Sequence, residues 1–127
     1  MDRQLKALEQ KLIDFRDRRD WAQFHSPKNL SQALGIEAAE LQEIFLWETS
    51  EASRDPSAAD RLRAESEIAD IFIYLTYLCR ELDVDIFRAV ENKLIENEQK
   101  YPADMAKGNS LKYNQLSKSL KPGLRKG

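Results

Sequence analysis

The chain has 127 residues, is 33% charged and 42% apolar, and carries a formal net charge of −2. That length suits one domain. The absence of any run of about 18 apolar residues excludes a membrane-spanning helix, and four glycines with four prolines are too few for an all-β fold built on tight turns.

The single cysteine, Cys79, excludes an intrachain disulfide and suits a reducing cytoplasm. Met1 to Arg19 is charged throughout and does not read as a secretory signal. The net charge hides an asymmetry. Residues 106–127 hold Lys107, Lys112, Lys118, Lys121, Arg125 and Lys126 and no acid, a +6 segment that leaves −8 on residues 1–105. A −8 body is a poor partner for a nucleic-acid polymer but could hold cations. The expected organisation is an all-α catalytic domain over 1–105 and a basic, irregular C-terminal tail over 106–127. The tail is either a solvated end or an arm that reaches an anion.

Four helices are predicted, at about 2–20, 27–48, 56–82 and 84–99, with no internal repeat. The first is amphipathic, with Leu5, Leu8, Leu12 and Phe15 on one stripe. Ser26-Pro27 reads as an N-cap followed by proline at the first helical position, and so does Asp55-Pro56. Asp83 before Val84 is a third expected N-cap. Thr49 to Arg54 reads as a polar loop. Pro102 stops the last helix, and Gly108 begins the irregular tail.

The second and third predicted helices differ from the first. Ile36 to Trp47 and Ile68 to Leu78 are apolar on nearly every face, as in helices buried at a bundle centre or between subunits. A chain of this size has little interior with which to cover two such helices. The expectation is a four-helix bundle-type protomer that assembles into a homodimer or homotetramer.

Acids sit inside these apolar blocks. At about 100° per residue, Glu37, Glu40 and Glu43 span a sector of roughly 120°, beside Ile36, Ile44 and Trp47. Glu67 and Asp70 are separated by three residues, and Tyr74 and Leu78 continue their stripe. Two antiparallel helices would bring these groups face to face. Carboxylates that converge in a partly buried cleft repel each other unless a cation is present. Oxygen-only donors suit Mg²⁺, with Mn²⁺ tolerated. One histidine and one cysteine argue against a zinc site, and His25 does not complete a Glu-x-x-His di-iron pattern. The alternative is that each acid is half-exposed and pairs with a lysine of a neighbouring helix.

With these residues in view the chain resembles the MazG-type nucleotide pyrophosphohydrolases of the all-α NTP pyrophosphatase superfamily, and more narrowly their dCTP pyrophosphatase-like branch. The resemblance rests on Arg19-Asp20-Trp21, Phe24-His25-x-Pro27-Lys28-Asn29-Leu30 and Glu37-x-x-Glu40-Leu41-x-Glu43-x-Phe45-x-Trp47. It continues through Glu67-Ile68-Ala69-Asp70-x-x-x-Tyr74-Leu75, Asn92-Lys93-Leu94-x-x-Asn97-x-x-x-Tyr101-Pro102 and Lys107-Gly108-x-x-x-Lys112-Tyr113. The chain departs from some relatives in carrying Glu98 and Lys100 where they have arginines.

The resemblance implies Mg²⁺-dependent hydrolysis of a nucleoside triphosphate to the monophosphate and pyrophosphate, with Glu40, Glu43, Glu67 and Asp70 as metal ligands. Glu37 is then the candidate that positions or deprotonates the attacking water; its alternative is a supporting role behind the ligands. Lys93, Asn97 and Lys112 are candidate phosphate contacts. Trp21, Phe24, His25 and Trp47 could supply faces for the base, and Tyr74 could press on the sugar. The expected substrate is dCTP or a modified dCTP in a cytoplasmic sanitation role. The alternatives are dUTP or a broad range of NTPs, or a non-catalytic helical scaffold. Such relatives imply a tetramer rather than a dimer.

Overall fold

The computed structural model describes residues 3–112 and 114–115. Tyr113, Lys118, Lys121, Arg125 and Lys126 of the tail lie outside the described residues. Every regular element among those described is helical, in line with the all-α expectation. The chain divides into two compact units, residues 1–84 and 85–127.

The first unit holds α1 (Arg3–Asp17), a 3₁₀ turn (Ala22–Phe24), α2 (Pro27–Phe45), α3 (Ser50–Ser53) and α4 (Ala58–Glu81). As expected, Ser26 caps α2. Its hydroxyl accepts from Asn29 N–H at 3.2 Å, and Pro27 takes the first turn. The side chain of Asn29 donates to the Phe24 carbonyl at 2.9 Å and ties the 3₁₀ turn to the start of the helix.

Three local expectations are corrected. The stretch Thr49 to Arg54 contains one helical turn, α3, because Thr49 Oγ1 accepts from Ala52 N–H at 3.1 Å. The cap of α4 is Ser57, whose hydroxyl accepts from Asp60 N–H at 3.1 Å, and Asp55-Pro56 lies before it. Asp83 caps no helix start. It takes φ +52, donates from its N–H to the Arg80 carbonyl at 3.3 Å, and is followed by Val84 N–H donating to the Cys79 carbonyl at 2.8 Å. These two bonds make a Schellman ending for α4.

α2 packs against α4, and α1 lies on α4. Leu30 meets Tyr77 in the core, and Glu37 lies beside Glu67. Numbers rise on one helix as they fall on the other, so the α2–α4 pair is antiparallel. The core joins Ile13, Leu30 and Tyr77, with Leu12, Ile73, Tyr74 and Leu78 packed around them. Tyr77 donates its hydroxyl proton to the Leu12 carbonyl at 2.8 Å, which satisfies a phenol that is otherwise buried. Arg16 with Glu81 (3.7 Å) and Arg80 with Glu9 (3.8 Å) add ion pairs between α1 and α4.

Apolar side chains of this unit remain exposed. Ile36 is 59% exposed and Ile68 is 56% exposed, and Phe72, Leu46 and Leu62 are exposed as well.

The second unit holds α5 (Ile86–Lys100) and α6 (Ala103–Ala106). Asp85 is the cap of α5, accepting from Phe87 N–H at 3.1 Å and Arg88 N–H at 3.2 Å. No described helix is long and apolar enough to cross a membrane.

Candidate metal and nucleotide site

The antiparallel pairing of α2 and α4 brings acids from both helices together. Carboxylate oxygens of Glu37, Glu67 and Asp70 lie within 4.8 Å of one another, and all three residues are half-buried. Glu67 and Asp70 share one face of α4 because three residues are nearly one turn. One oxygen of Glu37 and one of Glu67, both Oε2, are buried with no hydrogen-bond partner. A buried carboxylate oxygen without a partner is costly. The Glu37 carboxyl is pushed up to about 7, first because in its protonated form it hydrogen-bonds the Glu67 carboxylate, then by burial and by Glu40 and Asp70, so the two oxygens lack a partner only when both groups are ionised. Clustered oxygen donors, two of them orphaned, fit a hard divalent cation.

Glu40 is exposed, and its carboxylate contributes to raising Glu37. Glu43 is exposed and lies outside the clustered group. The structure therefore gathers Glu37, Glu67 and Asp70, with Glu40 beside Glu37, and leaves Glu43 apart.

Asp70 also borders a groove of about 910 Å³ between α1 and α4. Trp21, His25 and Tyr74, expected at a base and sugar site, line it together with Leu12, Phe15 and Tyr77. The His25 imidazole lies 4.8 Å from the Tyr77 ring, centre to centre. Its Nδ1 is buried without a partner. Burial, then the charge of Arg16, hold its pKa below the ordinary value against the opposing pull of Glu81, so the ring is neutral at pH 7.

Trp47 follows the end of α2 and is 92% exposed, outside this groove. Phe24 is also exposed and outside it. Lys93 and Asn97 belong to α5 in the second unit, where Lys93 Nζ pairs with Glu96 at 3.0 Å. Lys112 is exposed in that unit. The sequence reading missed Leu12, Phe15 and Tyr77 as groove residues. Leu12 and Phe15 carry only the signal of an apolar helix stripe, which does not separate a groove wall from a core.

A carboxylate cluster, one member of which borders an aromatic groove, on an all-α scaffold, narrows the class of protein. The MazG-like family matches residues 33–116, and this chain belongs to that family. It is 41% identical over 106 residues to dCTP pyrophosphatase 1 of Rattus norvegicus, covering 81% of this chain and 62% of the relative. It is 40% identical over 105 residues to dCTP pyrophosphatase 1 of Homo sapiens, with the same coverage. The chain thus spans about three fifths of the length of the curated relatives it matches. Among solved structures, a pyrophosphatase from Archaeoglobus fulgidus superposes with a TM-score of 0.76 at 39% identity. That match covers 80% of this chain and 95% of the other.

Proposed function

We propose that this chain hydrolyses a nucleoside triphosphate to its monophosphate and pyrophosphate with Mg²⁺, and that dCTP or a modified dCTP is the substrate. The observation that carries the reading is that Asp70 belongs both to the carboxylate cluster and to the aromatic groove. One residue thus links a place for a cation and its phosphates to a place for a base. The names of the relatives in rat and human support the choice of dCTP. The convergence of Glu37, Glu67 and Asp70 speaks against a scaffold, which needs no such cluster.

In this reading Glu37, Glu40, Glu67 and Asp70 hold the cation. Glu37 takes the position that the family pattern alone assigned to Glu43, because its carboxylate is in the cluster. A bound Mg²⁺ would neutralise triphosphate charge and polarise the α-phosphoryl group. Glu37 would help to hold the cation and is the candidate that aligns and deprotonates the attacking water. Trp21 and Tyr74 flank the base and sugar, and the neutral His25 lines the same groove. Lys93, Asn97 and Lys112 are kept as proposed phosphate contacts on the family pattern. The working unit is a homotetramer in the cytoplasm. Trp47, outside its own groove, serves a site only if it belongs to a neighbouring copy.

The test is pyrophosphate release from a panel of dNTPs and NTPs with Mg²⁺. dCTP is expected to turn over fastest; faster release from dUTP, or equal release from all, would replace the substrate, and none from any nucleotide would leave the scaffold. Glu37→Gln and Asp70→Asn should each lower kcat by at least about a hundredfold, the scale of losing a positioned acid or base. Glu43→Gln should stay within a few-fold of the parent. A Glu43→Gln enzyme as inactive as Glu37→Gln would restore Glu43 to the ligand set.

A further inference from the structure

We propose that Phe15 and Arg19 are positioning residues that hold Trp21 as a preformed stacking wall for the base. The inference rests on the nucleotide reading above and concerns how its groove is made ready.

Trp21 follows a helix end and is 45% exposed. An indole in that setting would ordinarily sample several rotamers. Three constraints act on it here. The first is the backbone. Asp20 takes φ +53, its N–H donates to the Asp17 carbonyl at 3.0 Å, and Trp21 N–H donates to the Arg16 carbonyl at 3.1 Å. This Schellman ending folds the chain back so that Trp21 returns along the last turn of α1.

The second constraint is Phe15. Its ring meets the Trp21 ring at 5.8 Å between centres and 73° between planes, an edge-on arrangement that aromatic quadrupoles favour. The third is Arg19. Its guanidinium lies 3.6 Å from the centre of the Phe15 ring and 5.9 Å from that of Trp21. One of its nitrogens also donates to the Phe15 carbonyl at 2.9 Å. The cation is thereby fixed at both ends over the pair.

Phe15 and Trp21 line the groove, and Arg19 does not. Arg19 therefore acts on a ligand through the two rings and not by touching it. A wall held in place before binding saves the ordering cost that a free side chain would incur when the base arrives. The consequence is tighter binding with unchanged chemistry at the carboxylates.

The experiment uses the full chain with dCTP and Mg²⁺, comparing Arg19→Gln, Phe15→Leu and Phe15→Tyr with the parent. Both positions are exposed, so the core of Ile13, Leu30 and Tyr77 is left intact. Arg19→Gln and Phe15→Leu are expected to raise KM about two- to tenfold, the factor such ring and cation contacts are worth, with kcat within about twofold. Phe15→Tyr, which keeps the ring, is expected to retain the parent KM. A second readout needs no turnover. In a Trp47→Phe background Trp21 is the remaining tryptophan, and Arg19→Gln and Phe15→Leu should each red-shift its emission and increase its quenching by acrylamide.

An unchanged emission, or a shifted emission with an unchanged KM, overturns the proposal. A lower melting temperature with KM and kcat at parental values would show a purely structural role and overturn it too. If the parent hydrolyses no nucleotide, the nucleotide reading fails by itself, and the emission of Trp21 still decides whether Phe15 and Arg19 hold it.

Discussion

Glu37 is the residue at which burial, charge and chemistry meet. Its carboxyl rises from 4.5 to about 7 because Glu67, burial, Glu40 and Asp70 all disfavour its ionised form. A raised acid favours the folded state while protonated, and that contribution is complete below the unfolded value of 4.5. It is lost as pH rises through about 7. Without divalent cation, the melting temperature should therefore carry a component that falls between pH 4.5 and 7. Glu37→Gln, which mimics the protonated form, should remove that component. His25 acts with the opposite sign: its lowered pKa costs stability as pH falls below 6.5. The difference between parent and Glu37→Gln cancels this histidine contribution. Mg²⁺ should bind with release of a proton near neutrality, so the rise in melting temperature on adding it should grow from pH 5 to 7.5. Melting curves in EDTA and in millimolar Mg²⁺ across this range make the test; a Mg²⁺ effect independent of pH would contradict the assignment of the raised carboxyl. At this scale the sequence was partly legible. Acids three apart inside apolar runs announced the cluster. Which of Glu37 and Glu43 joins the cluster was hidden, since both fall in one sector of α2 and the register against α4 decides which lies beside Glu67 and Asp70.

Elements were legible where their punctuation was unambiguous. Ser26-Pro27 left one reading, and the cap stands there. Asp55-Pro56 reads as a cap and a first turn, yet the hydroxyl of Ser57, two residues on, takes the role. Asp83 likewise reads as a cap, but it takes the left-handed backbone that ends α4, and Asp85 receives the two amide bonds at the start of α5. Composition alone does not separate an aspartate that starts a helix from one that ends it. The assignments can be separated by unfolding in urea. Ser57→Ala should cost about 1 kcal/mol, while Asp55→Ala should cost less than half of that. Asp83→Gly should stabilise by about 0.5–1 kcal/mol, because glycine adopts the left-handed region without the clash a Cβ brings. A loss on Asp83→Gly, or equal costs at positions 55 and 57, would undo this account of the helix ends.

For the whole molecule, the telling quantity is how little one chain buries. Among the described residues the buried apolar side chains are Ile13, Leu30, Ile44 and Tyr77. The sequence already carried this conflict, since two helices apolar on most faces belong to a chain too short to enclose them. Ile36 and Ile68 stand at the same level of the antiparallel α2–α4 pair, next to Glu37 and Glu67, and Phe72 follows one turn along α4. All three are exposed, at 59%, 56% and 39%. Burying a large apolar side chain contributes about 1.5–3 kcal/mol, so covering these three against another copy would contribute several kcal/mol per chain. The expected outcome is a multiple of the 14.7 kDa chain mass in light scattering at micromolar concentration. Ile68→Glu should shift that mass toward the monomer, since a carboxylate in an apolar contact is strongly disfavoured. Its neighbour Glu67 is a proposed ligand, so Phe72→Glu, which adjoins neither Glu67 nor Asp70 in the chain, serves as the second variant. If both variants dissociate the assembly, the face is the contact. If the parent already scatters as 14.7 kDa, the apolar surface of α2 and α4 is covered by something other than a second copy of this chain.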